Sequence, residues 1–202
     1  MPWEDFMPDN APVEDVTEYR EELKQLAKRS SNLGEPYITK LEAEKLNILA
    51  EYRSILEGKN FEVTIENSKN IVAKSPKVTM TLWEEQEEDD HLILNFIKPD
   101  GTYWGFQIDF DPTPSDLKRL REYATWYVDE NEELQTFKDT KNTKEYYQEE
   151  VRKVSNLVEE KEYLSKRLDL LKFDFSIWQS SSKLGSFKTF KEALDFAVSL
   201  GR

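Results

Sequence analysis

The sequence predicts an α+β fold: an antiparallel β-meander of about four strands covered by helices. An N-terminal helical pair precedes the meander, and a long C-terminal helical arm with a short β-α tail follows it. Three observations carry this prediction. Apolar residues recur at helical spacing from Val16 to Leu56, the period switches to two at Phe61, and helical spacing returns after Pro114. The 202 residues suit one large domain or two small ones, and 12% aromatics are enough to build a core. The expected division is an extended arm over 1–12, a helix-helix-meander-helix core over 13–137, and a long helix with its tail over 138–202, packed on the same domain.

Pro2, Pro8 and Pro12 oppose a helix in the arm, whereas Trp3, Phe6 and Met7 are apolar for a tail. Such an arm either folds back on its own core or serves as a docking peptide for another chain. Val16, Tyr19, Leu23 and Leu26 then mark a first helix over 14–30. Its acids lead and its bases follow, complementing the helix dipole. The stretch SSNLGEP reads as a break. Thr39 and Glu42 have capping-box spacing and predict a second helix, with Leu41, Ile48, Tyr52 and Ile55 on its apolar face and Gly58 as its stop.

Strands follow. Phe61, Val63 and Ile65 alternate with polar residues, and NSKN turns the chain. After Pro76 come Val78, Met80 and Leu82 on one face, then Leu92, Leu94 and Phe96, then Trp104, Phe106, Ile108 and Phe110. The KPDG sequence at 98–101 is a turn, because proline presets φ and glycine accepts a positive one. Short links of this kind imply an antiparallel meander.

Thr113 and Pro114 predict the start of a third helix running to about Phe137. A fourth is expected from about Thr143 to Leu171. Val154, Leu157, Leu164, Leu168 and Leu171 give that helix a near-heptad seam containing Lys161. The lysine is tolerable there if its stem packs and its amine reaches water, and the expectation is that most of the seam is covered within the monomer and that self-association is weak or absent. Phe173, Phe175 and Ile177 alternate in a late strand, SSSKLGS reads as a loop, and Thr189 with Glu192 caps a last helix.

Composition narrows the chemistry. With no cysteine, disulfides, thiolate nucleophiles and cysteine-based zinc sites are excluded. The net charge of −13 repels nucleic acid and anionic membranes and favours basic partners. No direct nucleic-acid contact and no membrane contact are therefore expected. The acidic start MPWEDFMPDNAPVED does not resemble a secretion signal, and a cytoplasmic location is expected. Lysines outnumber arginines 20 to 8, the bias of an AT-rich genome such as a low-GC bacterium or its phage, in which case the location is the host cytoplasm.

The candidate sites are acidic. Glu84, Glu85, Glu87, Glu88, Asp89 and Asp90 crowd between two apolar stretches, where residues 85–90 read as an exposed hairpin tip that deters stray strand pairing. The run lacks the glycine and the spaced ligands of a calcium loop. His91 is the only histidine, too few for a transition-metal site, and it would also have to serve as the base of any nucleophile. Asp109 and Asp111, at i and i+2 of a strand, point to one face and could bind magnesium in a hydrolase. No phosphate-binding glycine motif occurs, and no cofactor or metal is expected. The sequence thus points to a non-enzymatic acidic protein that binds another protein with a basic surface. Trp3, Phe6, Met7 and the run Glu84, Glu85, Glu87, Glu88, Asp89 and Asp90 are its candidate contacts. The alternatives are a DNA-mimic inhibitor of a nucleic-acid-binding protein and a metal-dependent hydrolase using Asp109 and Asp111.

Overall fold

A computed structural model of the chain describes residues 16–66, 70–84, 90–122 and 143–200. The arm carrying Trp3, Phe6 and Met7, the run Glu85, Glu87, Glu88 and Asp89, and residues 123–137 of the expected third helix lie outside these. The fold is α+β with an antiparallel sheet, but the sheet has seven strands where about four were expected. In chain order the elements are α1 (Thr17–Gly58), β1 (Glu62–Glu66), β2 (Asn70–Lys74), β3 (Thr79–Trp83), β4 (His91–Ile97), β5 (Tyr103–Thr113), α2 (Thr143–Ser165), β6 (Lys172–Gln179), β7 (Ser182–Phe187) and α3 (Phe190–Leu200). Each strand pairs antiparallel with the next, so spatial order follows sequence order throughout. The extra strands are NIVAK, a short apolar run without alternation, and SKLGSF, whose serines and glycine resemble a loop.

The helical expectations also need correction. The N-terminal pair is one 42-residue helix that runs through SSNLGEP with Pro36 inside it. A buried glycine and a proline together cost about 4 kcal/mol in a helix interior. Burial offsets this, because Tyr37 and Leu41 immediately beyond are 1% and 0% exposed. Thr39, expected as a cap, instead donates its hydroxyl to the Glu35 carbonyl one turn back at 3.0 Å. Residues Ser115–Arg121 form a 3-10 helix rather than the start of a long α-helix. The long arm stops at Ser165, and Leu168–Leu170 form a 3-10 turn. The β-α tail is no appendage, since β6 pairs with β5 from Gln107↔Trp178 to Thr113↔Lys172 and β7 completes the sheet.

The chain divides into two compact units: residues 1–34 with 122–165, and residues 35–121 with 166–202. In the first, Leu23 packs with Tyr147 and Val154, and Arg29 pairs with Glu162. Tyr19 accepts the Gln148 amide at 2.8 Å. Rising numbers meet rising numbers, so the two helical segments run parallel. Lys161 lies in the seam, and its amine is accommodated by a backbone carbonyl rather than by water. The residue is 2% exposed, and its Nζ donates to the Ser30 carbonyl at 3.1 Å. Burial lowers its pKa to about 8, against the pull of Glu122.

The second unit holds the sheet. Its covered face carries Ile71, Ala73, Met80, Leu82, Leu92, Leu94, Phe96, Phe106, Ile108, Phe110, Phe175 and Ile177, all buried. The C-terminal half of α1 and α3 lie on this face. Tyr37 meets Phe173 edge-on at 6.1 Å, Tyr52 meets Phe190 at 6.3 Å, and Phe190 meets Phe175 at 6.1 Å. The expected capping box of α3 is present: the Glu192 N–H donates to Thr189 Oγ1 at 3.3 Å, and the Thr189 N–H to Glu192 Oε2 at 3.1 Å. The KPDG turn also forms, with Gly101 at φ 84° and its N–H donating to the Lys98 carbonyl at 2.9 Å.

Candidate functional site

Strand alternation gives the sheet a second, open face. Registers place residues of successive strands side by side on it. One row runs Asn70, Trp83, Ile93, Gln107, Trp178, Lys183 across six strands. Trp83, Ile93 and Trp178 are each only partly buried. Three strand spacings separate the two tryptophans, about 14 Å. Toward one end of the face Ile97 pairs with Tyr103, 38% and 68% exposed. Toward the other lie His91, Asp109, Ser176 and Ser186 in one row and Asp111 with Asp174 in the next. Among the described residues of this unit, the helices contact the opposite face.

Asp109 and Asp111 share the open face, as their spacing requires. The Gln107 amide donates to Asp109 Oδ1 at 2.6 Å, and Lys183 Nζ lies 3.6 Å from Asp111 Oδ2. Burial, joined by Asp90 and Asp111, pushes the Asp109 carboxyl above its ordinary 3.8, against the Gln107 bond and His91. Lys188 Nζ holds Asp174 at 2.5 Å. Among the described residues no three His, Asp or Glu side chains converge as a metal set would.

The row His91, Asp109, Ser176 has the residue types of a hydrolytic triad in the wrong order. The acid stands between base and hydroxyl, leaving them two strands, about 10 Å, apart. Ser176 is fully buried, and its Oγ accepts the Trp178 indole N–H at 3.1 Å. This bond fixes the Trp178 ring, over which Lys183 Nζ sits 5.8 Å from the centroid.

The two described members of the acidic run are held within the chain. Glu84 turns to the covered face, its side chain 4% exposed, and pairs with Lys45 at 2.5 Å; Lys45, itself 2% exposed, also holds Glu42 at 2.7 Å. Asp90 bridges to Arg121 at 2.8 Å and Lys118 at 3.2 Å. Burial opposes its ionisation, but those two cations outweigh it and hold the carboxyl below 3.8. Sequence reasoning missed Trp83, Ile93, Gln107, Ser176 and Trp178. Alternation marks the first three as facing away from the core. The place of Ser176 and Trp178 beside them depends on a strand pairing that spans everything from Pro114 to Leu171.

No family model, no curated protein and no solved structure matches this chain. Among the described residues no helix is long and apolar enough to cross a membrane.

Proposed function

We propose that the chain is a non-enzymatic interaction protein that docks another protein, one with a basic surface, on the open face of its sheet. The observation that carries this reading is the row Trp83, Ile93 and Trp178, part-exposed at the centre of a face that no described helix of its unit packs against. Tryptophan is the residue type most enriched among interface positions that dominate binding energy. The face spans about 30 by 17 Å, roughly 510 Å², which falls short of the roughly 800 Å² per partner of a standard interface and suits a smaller, transient contact. Asp109, Asp111 and Asp174 flank the row, and the net charge of −13 steers basic surfaces toward the molecule.

The test is affinity capture from host extract with the native chain and with Trp83→Ser/Trp178→Ser, their folds compared by circular dichroism. The expected outcome is a basic protein retained by the native chain and lost by the folded double variant. Equal retention by both would remove the open face from the reading. A divalent-metal-dependent hydrolysis abolished by Asp109→Asn/Asp111→Asn would replace the reading with catalysis.

A further inference from the structure

The covered face of the sheet is not covered to its end. Where the β2–β3 and β4–β5 turns lie side by side, a cleft of about 520 Å³ opens between the residues following α1 and the C-terminal part of α3. Phe61, Met80, Phe96 and Trp104 form its walls, with Phe96 and Trp104 stacked at 5.4 Å and 9°. The volume lies within the range of small-molecule sites, and an apolar lining with few polar groups is their usual character. A second hollow of about 460 Å³ shares Trp104 and prolongs the apolar surface.

The charge of the lining is opposite to that of the molecule. In a chain of net charge −13, the only ionisable residues lining the cleft among the described residues are Lys77 and Lys98. Extending the register Thr79↔Ile97 by one step sets Lys98 opposite Val78, next to Lys77. Lys98 Nζ sits 5.2 Å from the Trp104 ring centroid, so its ammonium lies along the cleft wall. Asp100, on the same turn as Lys98, is engaged by the Thr102 backbone N–H at 2.9 Å. The Lys77 ammonium has no carboxylate partner among the described residues.

We propose that this cleft binds a small amphipathic carboxylate. Its alkyl or aryl tail lies against Met80, Phe96 and Trp104, and its carboxylate is held by Lys77 and Lys98. An apolar slot alone would accept any hydrophobe. The two lysines select an anion, and the continuation past Trp104 favours an elongated tail. The site is separate from the open face and does not depend on the docking reading.

Decanoate and decyltrimethylammonium serve as probes of equal tail and opposite charge. Titration calorimetry of the full chain should show saturable 1:1 binding of decanoate, at least tenfold tighter than the cationic amphiphile. Lys77→Gln/Lys98→Gln changes two exposed side chains and should fold normally, weakening decanoate about tenfold or more. In NMR spectra the Met80 methyl and the Trp104 indole N–H should shift on titration, and the indoles of Trp83 and Trp178 should not. Absence of saturable decanoate binding overturns the proposal. So does equal affinity for the cation, indifference to the lysine substitutions, or shifts centred on Trp83 and Trp178.

Discussion

Lys45 shows how one side chain can link two elements of the fold and still be invisible to hydrophobic patterning. It occupies a core position of α1 yet carries a charge, and it is tolerated because Glu84 and Glu42 both reach its ammonium. A buried pair of this kind adds little net stability, but removing one partner strands the other. Lys45→Met is therefore expected to cost about 3–5 kcal/mol in urea unfolding, and adding Glu84→Leu should restore most of it. Equal instability of single and double variants would mean that packing, not charge, is at stake. Lys161 is the opposite case, a buried ammonium whose hydrogen-bond partner is the Ser30 carbonyl. Its folded pKa of about 8 lies below the ordinary 10.5. Below pH 8 both folded and unfolded chains carry the charge, so the cost of burying it is fully present. Between about 8 and 10.5 the folded chain sheds the proton first, and stability rises with pH. Lys161→Met should thus be more stable than the native chain at pH 7, by about 1–3 kcal/mol, and its advantage should shrink across that interval. Parallel urea titrations at pH 7, 9 and 10 read the difference.

At the scale of elements, alternation was enough to find β1, β3, β4, β5 and β6, because in each the residues of one face are apolar, even in β1, where Ile65 is left 46% exposed. It failed where burial is not written in apolar residues. The inward stripe of α1 runs Leu23, Ser30, Gly34, Tyr37, Leu41, Lys45, Ile48, Tyr52, Leu56, but Ser30, Gly34 and Lys45 hide its continuity, and Pro36 argues for a break. NIVAK has no alternation to read, and SKLGSF is held by pairing with β6 rather than by its own propensity. Of the candidate site, the shared face of Asp109 and Asp111 was legible from spacing alone. The inward turn of Glu84 was not, because its partner Lys45 lies on another element. For α2 the seam was legible only in part: Val154 and Leu164 are 2% and 3% exposed, but Leu157 is half-buried, Val158 is buried though not among the expected positions, and Leu168 and Leu171 lie beyond the end of the helix. Leu164→Asp places an unpartnered charge in that seam and should cost several kcal/mol, about 3 or more. Urea unfolding with sedimentation checks this. A variant that stays folded and only passes from dimer to monomer would mean that a second chain covers the stripe.

At the scale of the whole molecule the dominant quantity is charge. Forty-one acids against 28 bases set up mutual repulsion that folding concentrates. Salt screens it over a Debye length of about 8–10 Å at physiological strength. The melting temperature should therefore rise by a few degrees between about 10 and 300 mM NaCl. The same screening acts on a basic partner with opposite sign, weakening the encounter. How far affinity falls depends on what carries it. If the row Trp83, Ile93 and Trp178 supplies most of the binding energy, apolar burial persists in salt, and the loss should stay near tenfold or less over that range. If instead the acids act collectively in place of a phosphate backbone, affinity should fall by about a hundredfold or more, and duplex DNA should displace the protein from its partner. Measuring the dissociation constant of the captured partner at both salt concentrations, with and without duplex DNA, separates these cases. A shallow slope with no displacement is the expected result. A steep slope with displacement would move the function from the aromatic row to the field of the whole chain.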